Sequence, residues 1–538
     1  MDDQPETDPG AARPDGSKGS PPDAPDAGDA APSDASAGEA SADEGRRGGG
    51  RSIWLLALGA GLVVLVLGVA VSVGAVVTRR AGSGDHPNVL MIMTDDQTLE
   101  EMRALPRTKQ LIADQGTTFD EYYVSFPVCC PSRATYYSGQ YAHNNGVKDN
   151  VPPLGGALKF VPHENDTLAV WMQKAGYQTA SIGKYLNGWG EDGNIAPPPG
   201  WSHWFGLIDP STYNYFNYSV SLNGQRYDYG TKPEDYQTDV LGQEVVNTIT
   251  RFGQQDSPWF VSFTPLAPHV GGREGTKEIW STAVPAPRHE GIFRNEPLPV
   301  SPSYDEADVS KKPAFVRNLK PLDDNAKAAI LGNYQKELEA LQAVDEWVEK
   351  IVTTLQQTGQ LDNTVIVFTS DNGLFHGQHR NLLGKVQLYE ESSHVPLVIR
   401  GASFPAGAHA SQVTANVDLA PTILKLAGAT ATVPLDGRDL APVATNPTDG
   451  ADRSVLLENW NGLTGQSSTA IRGGRWFYAE HPGNEKELYD LQTDPYQLHN
   501  LVDDPAYASV VQSLAPRLAA LRTCAGASCE GSDAALGR

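Results

Sequence analysis

The chain has 538 residues, a formal net charge of −24 and 40% hydrophobic residues. That length suits one large catalytic unit or two domains rather than a small module. The acidity argues against general nucleic-acid or anionic-surface binding, and four cysteines are too few for a disulfide scaffold.

Residues 1–50 are rich in Asp, Pro, Ala, Gly and Ser and contain no aromatic residue. Such a segment cannot bury a core and is expected to be disordered. The run at 52–77, SIWLLALGAGLVVLVLGVAVSVGAVV, carries no charge and is long enough to span a bilayer. Because it follows a long polar tail, it reads as an uncleaved signal anchor rather than a signal peptide. Arg46, Arg47 and Arg51 precede it, and Arg79 and Arg80 follow it. The count leans to a cytoplasmic N-terminus. The expectation is a single-pass membrane protein with its catalytic domain outside the cytoplasm; secretion after cleavage is the alternative.

From about residue 86 the texture is globular. NVLMIM (88–93), YQTASIG (177–183), PWFVSFT (258–264), TVIVFTS (364–370) and VPLVIRG (395–401) are short apolar or β-branched runs. Such runs suit strands buried on both faces of a mainly parallel sheet. A long helix is expected from residue 329, with Leu331, Tyr334, Leu338, Leu341, Val344, Val348 and Ile351 on one apolar face. Alternating strands and helices indicate an α/β sandwich over 86–430. Short strand and turn signals over 431–522 suggest a smaller α+β subdomain. In the tail, 523–538, Cys524 and Cys529 read as a local disulfide, two idle thiols being the alternative.

Chemistry-bearing groups follow the strands. Asp95 and Asp96 come after the first run, Lys184 after the second, His269 after the third, and Asp371 and Asn372 after the fourth. In open α/β sheets ligands bind beyond the carboxyl ends of strands. Asp95, Asp96, Asp371 and Asn372 offer only oxygen, which suits calcium or magnesium better than zinc. In FPVCCPSRATYYSG (126–139), Pro131 fits the first turn of a helix. Cys129 then lies at the helix N-terminus, where an anion is favoured. Arg133, about one turn in, can fork onto a tetrahedral oxyanion. This reads as a nucleophile beside an anion hole; a buried thiol pair, a vicinal disulfide or half a metal site stay open.

The stretch CCPSRATYYSG resembles the sulfatase signature, and the resemblance extends over NVLMIMTDDQ, IGKYLNGWG, APH, FTSDNGLFHGQHRNLLGK and YEESSHVPLVIRG. It is closest in motif to the N-acetylglucosamine-6-sulfatase and heparan-type glycan branch. It implies an alkaline-phosphatase-like α/β/α fold and a Cα-formylglycine made from Cys129 by a formylglycine-generating enzyme, Cys130 being a variable position. It implies one Ca2+ held by Asp95, Asp96, Asp371, Asn372 and the oxygen of residue 129. Arg133, Lys184, His269 and Lys385 match sulfate-contacting or catalytic positions. Where many arylsulfatases carry a histidine two residues after the lysine, this chain has Leu186, so Asn187 is expected as a substrate contact only. His143 and His376 are then candidates to assist breakdown of the sulfated intermediate, a structural or supporting role being the favoured reading of either.

The implied reaction is hydrolysis of a sulfate monoester, on a sulfated glycan or an aryl alcohol. A phosphonate or phosphate mono- or diester hydrolase, or a surface binding protein of the same fold, are the alternatives. Trp189, Trp201, Trp204, Tyr213, Tyr215 and Phe216 either line a sugar site or pack in the core. The Pro- and charge-rich segment 270–325 is expected to be a long loop over the site.

Overall fold

A computed structural model describes residues 86–271, 282–446, 448–450, 452–461 and 466–532. The acidic tail and the apolar run 52–77 lie outside the described residues. Among the described residues no helix is long and apolar enough to cross a membrane.

The first strand, β1 (Asn88–Thr94), shows why its neighbourhood is built as a sandwich. All seven of its residues are buried. Successive side chains alternate across a strand. Val89, Met91 and Met93 therefore enter one core, while Leu90 and Ile92 enter another. The remaining strands of the main sheet are β2 (Gly116–Tyr123), β3 (Gln178–Gly183), β4 (His203–Leu207), β5 (Ser219–Leu222), β6 (Gln225–Asp228), β7 (Trp259–Thr264), β8 (Thr364–Ser370), β9 (Leu397–Arg400) and β10 (Ala408–Ala415). They form one ten-stranded sheet in the order β10-β2-β9-β8-β1-β7-β3-β4-β5-β6. The centre, β8-β1-β7-β3-β4, is parallel. The run 395–401 yields only a four-residue β9, antiparallel to both neighbours, and β5–β6 is an antiparallel hairpin. The sheet is thus mixed, though mostly parallel.

Helices cover both faces. On one side lie α1 (Cys129–Ser138), α2 (Leu168–Lys174) and, later in the chain, α5 (Leu419–Ala427); Tyr137, Trp171 and Ile423 enter the core with Val89 and Val367. On the other side lie α3 (Gln237–Phe252) and α4 (Asp324–Gln357), with Val245, Leu341 and Val348 against Leu90 and Ile366. Gly242 lets α3 and α4 approach: a Cβ there would stand 2.2 Å from the Trp347 ring. The Asp323 carboxylate caps α4, accepting from the Ala326 N–H at 2.8 Å. The buried stripe of α4 runs through Tyr334, Leu338, Leu341, Val344, Val348 and Ile351 as expected, but starts earlier, at Ala326 and Ile330. Leu331 is only partly buried.

The C-terminal part is a four-stranded antiparallel sheet, β11 (Ser454–Asn461), β12 (Gln466–Gly473), β13 (Trp476–Glu480) and β14 (Lys486–Asp490). Against it packs α6 (Ala508–Leu521) through Leu514, Leu518 and Leu521. Its core continues into Val413 and Ala415 of β10, and the described residues belong to one compact unit. A disulfide joins Cys524 to Cys529.

The parallel centre of the sheet brings the polar strand exits together. β1 ends level with β8 (Thr94 opposite Ser370), and β3 ends level with β7 (Gly183 opposite Thr264). Helix α1 is set over these ends by Asn416. The Asn416 Oδ1 accepts from the Ser125 N–H at 2.9 Å, and its Nδ2 donates to Ser132 Oγ at 3.0 Å. Replacing Asn416 by Ala would strand both buried partners. The expected loss is about 1–3 kcal/mol of stability, read as a lower urea midpoint at unchanged m.

Candidate active site

The two neighbouring cysteines have different surroundings. Val128 is extended (φ −151°, ψ 137°), so Cys129 is the first helical residue of α1. Pro131 occupies the third position, where a missing N–H costs no helical bond. At 100° per residue along a helix, Cys129 and Cys130 diverge. Cys130 enters the apolar core with Tyr137 and Trp171. Cys129 Sγ lies 3.5 Å from Asp95 Oδ1, 4.0 Å from Asp96 Oδ1 and 2.9 Å from Lys385 Nζ. Both thiols are free, so the pair is not a vicinal disulfide. Burial, with Asp95 beside it, pushes the Cys129 thiol up to about 12.

The side chain of Arg133, four residues on and one turn up the same helix face, is 1% exposed. Its guanidinium makes three bonds. Nε donates to Asp371 Oδ2 at 2.7 Å, Nη2 to Asp95 Oδ2 at 3.0 Å, and Nη1 to the Lys184 carbonyl at 2.8 Å. Lys184 Nζ is 2.5 Å from Asp95 Oδ2. Lys385 Nζ also donates to Asp96 Oδ1. Three buried carboxylates, Asp95, Asp96 and Asp371, therefore face three cations, Arg133, Lys184 and Lys385.

Burial alone would push the Asp95 carboxyl up, but Lys184, His269, Arg133 and Lys385 together hold it well below the usual carboxylate range. For Asp96, burial is likewise outweighed, chiefly by Lys385 and His269. Asp371 goes the other way, raised by burial and by Asp95 despite Arg133. Asp96 adopts φ 67°, a left-handed conformation unusual for a residue with a side chain. It directs its N–H to Asp371 Oδ1 at 3.1 Å.

His269 completes the wall. Its Nδ1 bonds the Val270 carbonyl at 2.7 Å, which leaves Nε2 facing Asp96 Oδ2 at 3.5 Å. Asp95, Asp96, Cys129 and His269 each bring a ligand atom within 4.8 Å of the others. Asn372 Nδ2 donates to Asp96 Oδ1 at 2.6 Å, while its Oδ1 is buried without a hydrogen-bond partner. A half-turn of that amide would set two oxygens against each other, an arrangement that only a cation between them would favour. The orphaned oxygen and the carboxylates thus fit an oxygen-seeking metal ion. Asp371 accepts from Arg133 through one oxygen and from the Asp96 N–H through the other.

The aromatic cluster divides. Trp189, Trp204 and Tyr215 are buried in the cores, Trp201 and Phe216 pack against them, Tyr215 donates its hydroxyl to the His269 carbonyl at 2.8 Å, and Tyr213 turns its ring to the site. Its ring is 4.9 Å from Lys184 Nζ and 5.2 Å from the His269 ring, and its hydroxyl accepts from Asn187 Nδ2 at 2.5 Å. Its place beside Lys184 and His269 was not legible in the sequence. Neither assisting histidine reaches Cys129 by any described contact. His143 bonds Glu458 Oε1 and the Cys524 carbonyl at 3.1 and 2.9 Å, tying the disulfide loop to the catalytic unit. His376 bonds Glu337 Oε2 at 2.6 Å. The described part of segment 270–325 is anchored on α4, with His289 Nε2 2.9 Å from Glu346 Oε1; residues 272–281 lie outside the described residues.

Arg133→Met keeps bulk but leaves Asp95 and Asp371 without their shared partner. The expected cost is about 3–5 kcal/mol, read by denaturant unfolding at neutral pH. A loss under 1 kcal/mol would mean that Lys184 and Lys385 suffice to hold the carboxylates.

Residues 87–429 match the family model described as Sulfatase, and residues 377–524 match one described as N-sulphoglucosamine sulphohydrolase, C-terminal. The chain is 34% identical to an arylsulfatase of Volvox carteri, over 85% of this chain and 77% of that protein. It is 32% identical to the human N-acetylglucosamine-6-sulfatase, over 87% of this chain and 89% of that protein. A solved structure of a protein in complex with its substrate, D-glucosamine-2-N,6-O-disulfate, superposes with a TM-score of 0.68 at 24% identity. The match covers 83% of this chain and 98% of that one. The shared fold is the alkaline-phosphatase-like α/β fold with a mixed, mostly parallel sheet. The chain belongs to the sulfatase family and is a sulfuric ester hydrolase.

Proposed function

We propose that the chain hydrolyses a 6-O-sulfate ester on a glucosamine or N-acetylglucosamine unit of a sulfated glycan, using Cα-formylglycine formed from Cys129 and one bound Ca2+. The observation that carries this reading is the position of Cys129 Sγ. It stands at the N-terminus of α1 among Asp95, Asp96 and Lys385, with Arg133 beneath it. A formylglycine-generating enzyme would supply the modified residue. The 6-O-sulfated sugar is suggested by the named substrates of the human relative and of the solved structure. Tyr213, beside Lys184 and His269, offers a ring face to the sugar.

Calcium would be held by Asp95, Asp96, Asp371, Asn372 and the oxygen of residue 129, with magnesium the alternative; when bound it supplies positive charge against the sulfate oxygens. The hydrated aldehyde supplies two hydroxyls on one carbon, so displacement at sulfur and release of sulfate become two easier steps. The protein's own groups do the rest. Three carboxylates balance three cations, so a bound divalent ion leaves the site positive toward a sulfate monoester anion. Lys184 and Lys385 orient the sulfate, and Arg133 keeps Asp95 and Asp371 in place. His269, with Nδ1 bound to Val270, presents Nε2 to protonate the leaving sugar oxygen, and Lys385 is the other donor in reach. Asn187 contacts the substrate.

The catalytic unit is proposed to work outside the cytoplasm, anchored by residues 52–77 or secreted after cleavage. The Cys524–Cys529 disulfide supports an oxidising compartment.

Two outcomes are expected. Sulfate release from N-acetylglucosamine-6-sulfate should exceed release from aryl sulfate, and phosphate and phosphonate esters should turn over more slowly than either. Faster turnover of phosphonate esters would overturn the substrate assignment. Chelation should lower the rate by about 10²–10³-fold, with recovery on adding Ca2+; full activity in metal-free protein would rule out the ion.

A further inference from the structure

Away from Cys129, a second group of metal-ligating side chains is buried. Glu101, Glu337 and His376 are 0%, 1% and 4% exposed, and each places a ligand atom within 4.8 Å of the others. Glu101 lies on the helical turn Glu100–Ala104 that follows β1. Its Oε2 accepts from the Thr98 N–H and hydroxyl at 2.8 and 3.0 Å. Its Oε1 is buried with no hydrogen-bond partner. Glu337 stands on α4, where its Oε1 accepts from Asn333 Nδ2 at 2.6 Å and its Oε2 meets His376 Nε2 at 2.6 Å. Asn333 is itself fully buried, and its Oδ1 also lacks a partner.

Two carboxylates thus share one imidazole as their positive partner. Arg103, two residues beyond Glu101, is taken by Glu100, Glu296 and Tyr334. Tyr334 packs its ring edge against His376 at 5.5 Å and carries no charge to the cluster. Burial, followed by the charge of Glu337, pushes the Glu101 carboxyl up to about 8. Two carboxylates and an imidazole, with one carboxylate oxygen lacking a donor and the Asn333 amide, its own oxygen also unpartnered, bonded to Glu337, constitute a ligand set that suits a cation.

We propose that Glu101, Glu337 and His376, joined by the Asn333 amide oxygen, form a second divalent-cation site that takes a first-row transition ion such as Mn2+ or Zn2+. One nitrogen among oxygen donors favours such an ion over calcium, which prefers oxygen alone. Binding would displace both the proton on Glu101 and the proton between His376 and Glu337, so affinity rises with pH. The placement gives the ion a use. Glu101 follows the loop that carries Asp95 and Asp96, and His376 follows Asp371 and Asn372. An ion between them would fasten both loops to α4 and so brace the site around Cys129.

The test uses the full chain saturated with Ca2+ and then given Mn2+. Anomalous diffraction above the manganese edge should place a peak among Glu101, Glu337 and His376. Mn2+ should also raise the melting temperature of the wild type and not of Glu101→Gln, which replaces one oxygen of the carboxylate by an amide group. The diffraction arm does not depend on the variant folding. Absence of a peak with both Mn2+ and Zn2+, or an undiminished Mn2+ shift in folded Glu101→Gln, would overturn the site in favour of a shared proton.

Discussion

The guanidinium of Arg133 is the contact on which the rest of the site depends. It is buried, and it binds the carboxylates that leave β1 and β8 together with the backbone carbonyl that follows β3. Three strand exits and helix α1 are thereby fixed to one planar group. An ammonium could not span these acceptors, because the fork has directions that a point charge lacks. Without that tie, Asp95 and Asp371 would be buried like charges driven apart by their own repulsion.

Charge balance follows from this arrangement. Each carboxylate in the site costs desolvation energy; specific cations outweigh that cost at Asp95 and Asp96, while at Asp371 burial and the neighbouring Asp95 win over Arg133. Lys385 arrives from the loop after β8 and bonds both Asp96 and the Cys129 sulfur. The proposed ion would add positive charge to a cage that is already neutral, which is the condition for attracting an ester anion. In the Glu101–Glu337–His376 cluster two carboxylates face one imidazole, and Glu101 keeps its proton to higher pH as a result, which distinguishes it from an ordinary buried salt bridge.

Much of this was legible in the sequence, and the limits are physical. β1, β3, β7 and β8 are buried on both faces, so their apolar runs are nearly continuous and the polar residues after them stand out. β2 and β10 were missed because Asp120 in one and His409 and Ser411 in the other face solvent, which breaks the run. Cys129, Arg133 and the acidic residues beside them came from motif and family resemblance. The bracing Asn416 and the wall residue Tyr213 did not, since an asparagine after a strand and a tyrosine among aromatics signal nothing until distant elements meet. The same holds for Glu101 and Glu337, which look like ordinary helix acids. Of the two readings of His143 and His376, the structural one agrees with their bonds to Glu458 and Glu337.

The central claim is that residue 129 acts only after conversion, inside the cage set by Arg133. The most direct measurement takes preparations with different degrees of conversion and plots the rate of sulfate release against the converted fraction, read by peptide mass as loss of one sulfur and two hydrogens for one oxygen. The account predicts a straight line through zero. A substantial rate at zero conversion would contradict it.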